Sequence, residues 1–236
     1  MRLLRRHAGL VGVDEAGRGA LAGPVVAGAV AVTREFFDTA WCARHESRIN
    51  DSKKLSAAAR EQIFGELEAV RAKGHLAFAA GSATVLEIES ANILGATKLA
   101  MRRALITVAT ERFALPALAA DGLFAAAETT LPWRIAVDGR PLSGFPYAHD
   151  ALVGGDGKSL VIALASIVAK VTRDRLLDDL DALYPQYGFR VHKGYGTEAH
   201  RAEITARGPC PVHRPTFLRK LLAADAPAET VQEELF

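Results

Sequence analysis

The 236-residue chain has only two cysteines, Cys42 and Cys210, so a disulfide framework is excluded and a reducing compartment is expected. Each cysteine has a histidine three positions on, His45 and His213, which formally completes a Cys2His2 set. Neither pair has the context of a zinc knuckle, and structural zinc is not expected. Long hydrophobic runs are also missing. The longest, "SLVIALASIVAK" at 159–170, falls far short of the ~20 residues that cross a bilayer, so no membrane segment is expected. The opening "MRLLRRHAGLVGV" is basic and then apolar, but Asp14 and Glu15 stop the apolar part before a signal-peptide core of ~7–15 residues is complete. We expect a cytoplasmic protein. No internal repeat or low-complexity block is found, and a net charge of +2 says little about partners, because local basic surface matters more than the total.

What is present is an alternation of strands and helices over a composition that is half apolar, enough for a sizeable core. "GLVGV" at 9–13 and "PVVAGAVAV" at 24–32 read as strands joined as a hairpin. Three more strands are expected at 76–83, 134–139 and 147–156. A helix over 56–74 has Ser56 as its N-cap, Ile63, Leu67 and Val70 on one face, and Gly74 as its stop. Residues 92–109 repeat the pattern with Leu94, Met101, Leu105 and Val108. The helix at 159–183 is apolar nearly all round in its first half, which implies burial against a sheet, and it ends before Pro185. Short helices at 197–207 and 215–222 follow. The fold class is α/β: a mixed five-stranded sheet flanked by helices, with a small helical C-terminal part from about residue 185. Residues 1–222 are expected to form one domain, and 223–236, poor in apolar residues, a flexible tail.

The stretch "VGVDEAGRGALAG" at 11–23 sets two mutually repelling carboxylates, Asp14 and Glu15, before a glycine-arginine-glycine turn. "GRGALA" satisfies a dinucleotide fingerprint formally, but Pro24 and the Val/Ala run after it read as strand, where that fingerprint requires a helix. The other reading makes the carboxylates metal ligands and the turn a place where backbone groups approach a substrate closely. It demands further carboxylates. Asp138 in "VDG" and Asp156 in "GGDGKS" supply them, each after an apolar run, so three strand ends of one sheet can deliver acidic groups to one place.

"VGVDEAGRGALAGPVVAGAV", "NDSKKLS", "VDG", "GDGKS", "SIVAKVTRDR", "YPQYGFRVHKGYGT" and "HRPTF", in this order from about residue 9 to 217, resemble ribonuclease HII. The resemblance implies a ribonuclease H-like fold with Asp14, Glu15, Asp138 and Asp156 as the acidic active site. It further implies hydrolysis of the RNA strand of RNA·DNA hybrids and incision 5′ of single ribonucleotides embedded in duplex DNA. Four carboxylates can hold two Mg²⁺ or Mn²⁺ ions, whose charge offsets the repulsion between Asp14 and Glu15. Gly17, Arg18 and Gly19 resemble the family's turn that senses the 2′-hydroxyl, and Tyr195 resembles its tyrosine at the junction, stacked on the sugar after the ribonucleotide. Lys53, Lys54, Lys170, Arg173 and Lys193 are candidate phosphate contacts. Asp174 is the alternative fourth carboxylate. The segment before "RIAVDG" is longer than expected, and ribonuclease HIII is set aside because no room precedes residue 9 for its extra domain. The tail ends in "QEELF", where Gln232, Leu235 and Phe236 resemble the peptide that binds the bacterial sliding clamp. A monomer is expected. The competing reading, a non-catalytic hybrid-binding or clamp-associated protein of the same fold, is disfavoured by the four intact carboxylates.

Overall fold

The computed structural model describes residues 7–49, 55–111 and 133–224. Small and β-branched residues build a sheet of strands β1 (Gly9–Ala16), β2 (Val25–Thr33), β3 (Leu76–Ala83), β4 (Arg134–Asp138) and β5 (Asp150–Leu152). Its order is β3-β2-β1-β4-β5. β1 and β2 form the expected hairpin, β3 extends it antiparallel, and β4 and β5 add in parallel on the other side. The sheet is therefore mixed, with β1 at its centre. β1 runs three residues beyond the span expected from sequence, and β5 is much shorter than 147–156.

One face of the sheet packs on α3 (Val85–Glu111), which breaks its helical backbone at Asn92. There the Asn92 side chain accepts the N–H groups of Leu94 and Gly95 at 2.9 and 3.1 Å, capping the longer second part of the helix. The other face packs on α4 (Leu160–Leu183), whose first turns are buried all round because α1 (Ala40–Ile49) and α2 (Ala57–Ala72) cover its far side. Gly12 and Gly28 let α4 lie close to the sheet, since a Cβ on Gly28 would stand 2.2 Å from the Ala165 carbonyl oxygen. α1 is an element that strand and helix periodicity did not predict. Thr39 caps it, accepting the Cys42 N–H at 3.1 Å.

The C-terminal part comprises α5 (Phe189–His192), α6 (Glu198–Arg207) and α7 (Pro215–Ala224) around a third small core of Leu177, Tyr187, Phe189, Ile204 and Leu218. α6 has nearly the span that the sequence predicts; Thr197 caps it by accepting the His200 N–H, and Gly208 follows it. None of the helices is long and apolar enough to cross a membrane, among the described residues. The expected tail at 223–236 lies outside the described residues apart from the last turn of α7.

Candidate active site

The first carboxylates lie near the C-terminal end of the central strand, β1. By strand alternation Asp14 shares the α4 face with Gly12, and it sits opposite Gly28 in β2. Asp14 is only 4% exposed. Its Oδ1 accepts the Glu15 N–H at 2.7 Å, and its carboxyl is hydrogen-bonded by Ser166, the one hydroxyl in the apolar first turns of α4. Burial first, then the charge of Glu15 and more weakly that of Asp138, push the Asp14 pKa from 3.8 up to about 7, against the pull of Ser166 and the Glu15 amide. Glu15 turns to Arg18, whose Nη1 lies 3.0 Å from its Oε1.

Asp138 closes β4, and its Oδ1 accepts the Gly155 N–H at 2.6 Å. Asp156 follows Gly155 directly, buried in the single turn Gly155–Gly157 ahead of α4. The structure thus brings Asp14, Glu15 and Asp138 to one cleft of about 260 Å³, together with Gly17, Arg18, Gly19, Ser166, Lys170 and Tyr195. Asp156 does not line that cleft; it is buried and directly follows Gly155, whose amide holds Asp138. A larger hollow of about 950 Å³ around Trp41, His45 and Glu66 shares none of these residues. Asp174 does not line the cleft either, and its carboxylate faces Arg60 at 3.8 Å.

Among the described residues, no three His, Cys, Asp or Glu side chains stand close enough together to grip a metal ion in this arrangement. In kind, the donors fit well. Carboxylate oxygens suit Mg²⁺ and Mn²⁺, and a cation in the cleft offsets the repulsion that raises the Asp14 pKa. The Cys2His2 set does not assemble: Cys42 lies in the core shared with α4, whereas Cys210 packs in the C-terminal core. His45 pairs with Glu66 at 2.9 Å instead.

The turn from Gly17 to Pro24 runs into β2, which excludes the dinucleotide reading. Two buried arginines shape it. Arg173, 1% exposed, donates to the carbonyls of Pro24, Lys193 and Ala22 at 3.0, 2.8 and 3.1 Å. Arg214 donates to Gly23 through Nε and Nη2 at 3.0 and 2.8 Å, and to Arg18 through Nη1 at 3.1 Å. Gly17 is required here, because φ is +89° and a Cβ would sit 2.0 Å from the Arg173 Nε. A Cβ on Gly19 would meet nothing, so its backbone is open to the cleft.

These contacts revise part of the expected phosphate set. Arg173 is a brace for the turn, with its donors committed to backbone carbonyls, and it underlies the Tyr195 ring at 5.3 Å. The Lys193 ammonium is held by Asp178 and by the Asp174 carbonyl at 3.2 Å. Lys170 lines the cleft, and Tyr195 is 39% exposed beside it. Lys53, Lys54, Gln232, Leu235 and Phe236 lie outside the described residues. Ser166 and Arg214 are site residues that sequence reasoning passed over. A lone hydroxyl in an apolar helical run was a usable signal for Ser166, whereas nothing local marks Arg214 as buried.

The family model for ribonuclease HII matches residues 11–221. The chain belongs to the ribonuclease HII family. It is 45% identical to the ribonuclease HII of Syntrophotalea carbinolica, over 88% of this chain and 84% of that one. It is 46% identical to that of Granulibacter bethesdensis, over 94% and 90%. The fold matches that of the ribonuclease H2 from Pyrococcus horikoshii OT3 with a TM-score of 0.65, at 23% identity, over 92% of this chain and 98% of that one. As a ribonuclease HII, the chain is a metal-dependent endoribonuclease of the ribonuclease H type that acts on RNA–DNA hybrids.

Proposed function

We propose that this ribonuclease HII also incises duplex DNA on the 5′ side of a single embedded ribonucleotide, leaving 5′-phosphate and 3′-hydroxyl ends. The supporting observation is the shared cleft, in which Asp14, Glu15 and Asp138 face the same space as the Gly17–Gly19 turn and Tyr195. Asp14, Glu15, Asp138 and Asp156 are the ligands in this reading. Two Mg²⁺ or Mn²⁺ ions held there lower the pKa of the attacking water and stabilise the leaving 3′ oxygen. The protein supplies the positioning. Backbone groups of Gly17, Arg18 and Gly19, kept in place by Arg173 and Arg214, hydrogen-bond the 2′-hydroxyl, the group that separates RNA from DNA at one position. Tyr195 stacks on the following sugar, and Lys170 meets a phosphate from the cleft wall.

The test is a duplex with one ribonucleotide, an all-DNA duplex and a uniform hybrid, each with the cut mapped. Cleavage 5′ of the ribonucleotide and none in all-DNA duplex is expected. Equal cutting of the first two would remove the 2′-hydroxyl role of the turn, and no cutting of any would favour a hybrid-binding protein that does not cleave.

The tail carries a second partner in this reading. Gln232, Leu235 and Phe236 resemble a sliding-clamp peptide, and two large apolar side chains ending a polar segment suit a partner pocket. A peptide of residues 226–236 should bind purified clamp at micromolar strength, about 8 kcal/mol. Leu235→Ala with Phe236→Ala should abolish binding and spare cleavage of short duplexes; undiminished binding by that variant would end the idea. The protein acts as a cytoplasmic monomer, and its two free cysteines suit a reducing compartment.

A further inference from the structure

Behind Tyr195 lies a group of histidines that the catalytic reading does not use. His200 and His213 are buried at 0% and 2% exposure, with Nε2 atoms 3.0 Å apart. His200 Nδ1 is 2.9 Å from the Tyr195 carbonyl oxygen, and a carbonyl only accepts, so this nitrogen carries the proton. The neutral ring then offers Nε2 as an acceptor, and His213 Nε2 must donate to it. His213 Nδ1 is left as an acceptor, and the Cys210 N–H points at it from 3.0 Å with the thiol sulfur at 3.1 Å. Every link agrees with the next. The proton positions run one way, from Cys210 through His213 and His200 to Tyr195.

His192 obeys the same logic. Its Nε2 donates to the Tyr187 carbonyl at 2.7 Å and its Nδ1 accepts the Gly194 N–H at 3.2 Å, while its ring stacks on His200 with centroids 4.1 Å apart. The segment so held also touches the sensing turn, because the Gly194 carbonyl accepts the N–H groups of Leu21 and Ala22 at 2.8 and 3.3 Å. An extra proton on either buried ring sets N–H against N–H somewhere along the chain. Among the described residues, the charged groups acting on the two rings include no carboxylate. Phe189 packs its ring edge on His200, and Tyr187 packs on His213 while its hydroxyl donates to the Gly208 carbonyl. Besides His192, the titratable groups packed here are Cys210 and Tyr187, and Tyr187 in turn feels Glu203 and Arg207.

We propose that His200 and His213 are positioning residues for Tyr195, forming with Cys210 a directional hydrogen-bond chain that fixes the Tyr195 main chain against the sensing turn only while both rings are neutral. The inference rests on the reading of Tyr195 as the junction residue, and its tests separate the two. Burial lowers the pKa of both rings, that of His200 to about 4, which keeps the chain intact at neutral pH.

The chain itself is read by ring ¹⁵N NMR of the intact protein. His200 should show the Nδ1–H tautomer and His192 and His213 the Nε2–H tautomer, with both buried rings titrating below the ordinary histidine value of about 6.5. An Nε2–H tautomer at His200, or titration of either buried ring near 6.5, overturns the proposal whatever Tyr195 does. The positioning role is read as the ratio of kcat/KM on a single-ribonucleotide duplex to that on a uniform hybrid. His200→Ala should lower the ratio about tenfold, equivalent to about 1.4 kcal/mol. His200→Asn, whose amide can place an N–H where Nδ1–H stood, should recover it to within about threefold of wild type. Tyr195→Ala is the control. If it lowers the ratio and a folded His200→Ala does not, the proposal falls and the reading of Tyr195 stands. If Tyr195→Ala leaves the ratio unchanged, that reading fails and the positioning role falls with it. Should His200→Ala not fold, His200→Asn is compared with His200→Gln, which cannot donate from the Nδ1 position, and equal ratios in that pair overturn the proposal.

Discussion

Replacing Asp14 by asparagine should make the protein more stable and inactive. The Asp14 carboxyl is buried beside Glu15 and Asp138, and the rise of its pKa from 3.8 to about 7 corresponds to a penalty of about 4 kcal/mol on the ionised folded protein. Asparagine removes the charge and keeps the acceptor for the Glu15 N–H. Its amide must still be desolvated, which takes back roughly 1–2 kcal/mol. A net gain of about 2–3 kcal/mol remains, or about 5–10 °C in Tm for a chain of this size.

The pH dependence identifies the cause. A carboxyl with a raised folded pKa contributes stability that is fully present below the unfolded value of 3.8 and is lost as pH rises through about 7. Wild type therefore lags the variant most at about pH 8, and the gap closes towards pH 4. Denaturant unfolding of both proteins in EDTA at these two pH values is the assay. Saturating Mg²⁺ should narrow the gap at pH 8, because only wild type gains from binding it fully. A variant no more stable than wild type at pH 8 in EDTA, or a gain of equal size at pH 4, would refute the electrostatic account of the cleft.

Asp138→Asn should abolish cleavage and leave duplex binding intact, measured by turnover in Mg²⁺ and by duplex titration; near-normal turnover would break the metal-ligand assignment. Arg214→Lys keeps the charge but cannot reach both Gly23 and Arg18, so it should lose about 2–4 kcal/mol in denaturant unfolding, and a loss below about 0.5 kcal/mol would contradict its role as a brace.

Much of this architecture is legible in the residues because it is written locally. The strands at 76–83 and 134–138, the caps Ser56 and Thr197 and the end of α4 before Pro185 all depend on neighbours in sequence. Asp138 could be read as a strand-end residue for the same reason, whereas Asp14, expected at the end of its strand, lies inside β1, which pairs with β2 as far as Ala16. Helix α1 escaped because it is short and rich in charge, although Trp41, Cys42, His45 and Ile49 bury one face at helical spacing and Thr39 marks its start. Arg173 could not be told from a surface cation, since its burial is decided by carbonyls 20 to 151 residues away. The histidine chain is harder still: His192, His200 and His213 look like scattered polar residues until α5, α6 and the segment after α6 fold together.

The brace by Arg214 bears on the life of the chain before it is complete. The carbonyls it holds, at Arg18 and Gly23, precede it by 196 and 191 residues. On the ribosome, β1 and its acidic pair emerge early, yet the turn beside them gains its braces only with Arg173, 149 residues after Pro24, and then with Arg214. A nascent or prematurely terminated product therefore carries the acidic pair beside a turn that neither arginine yet holds. In the reading of that turn as the sensor, the acidic residues are made before the parts that give them a target.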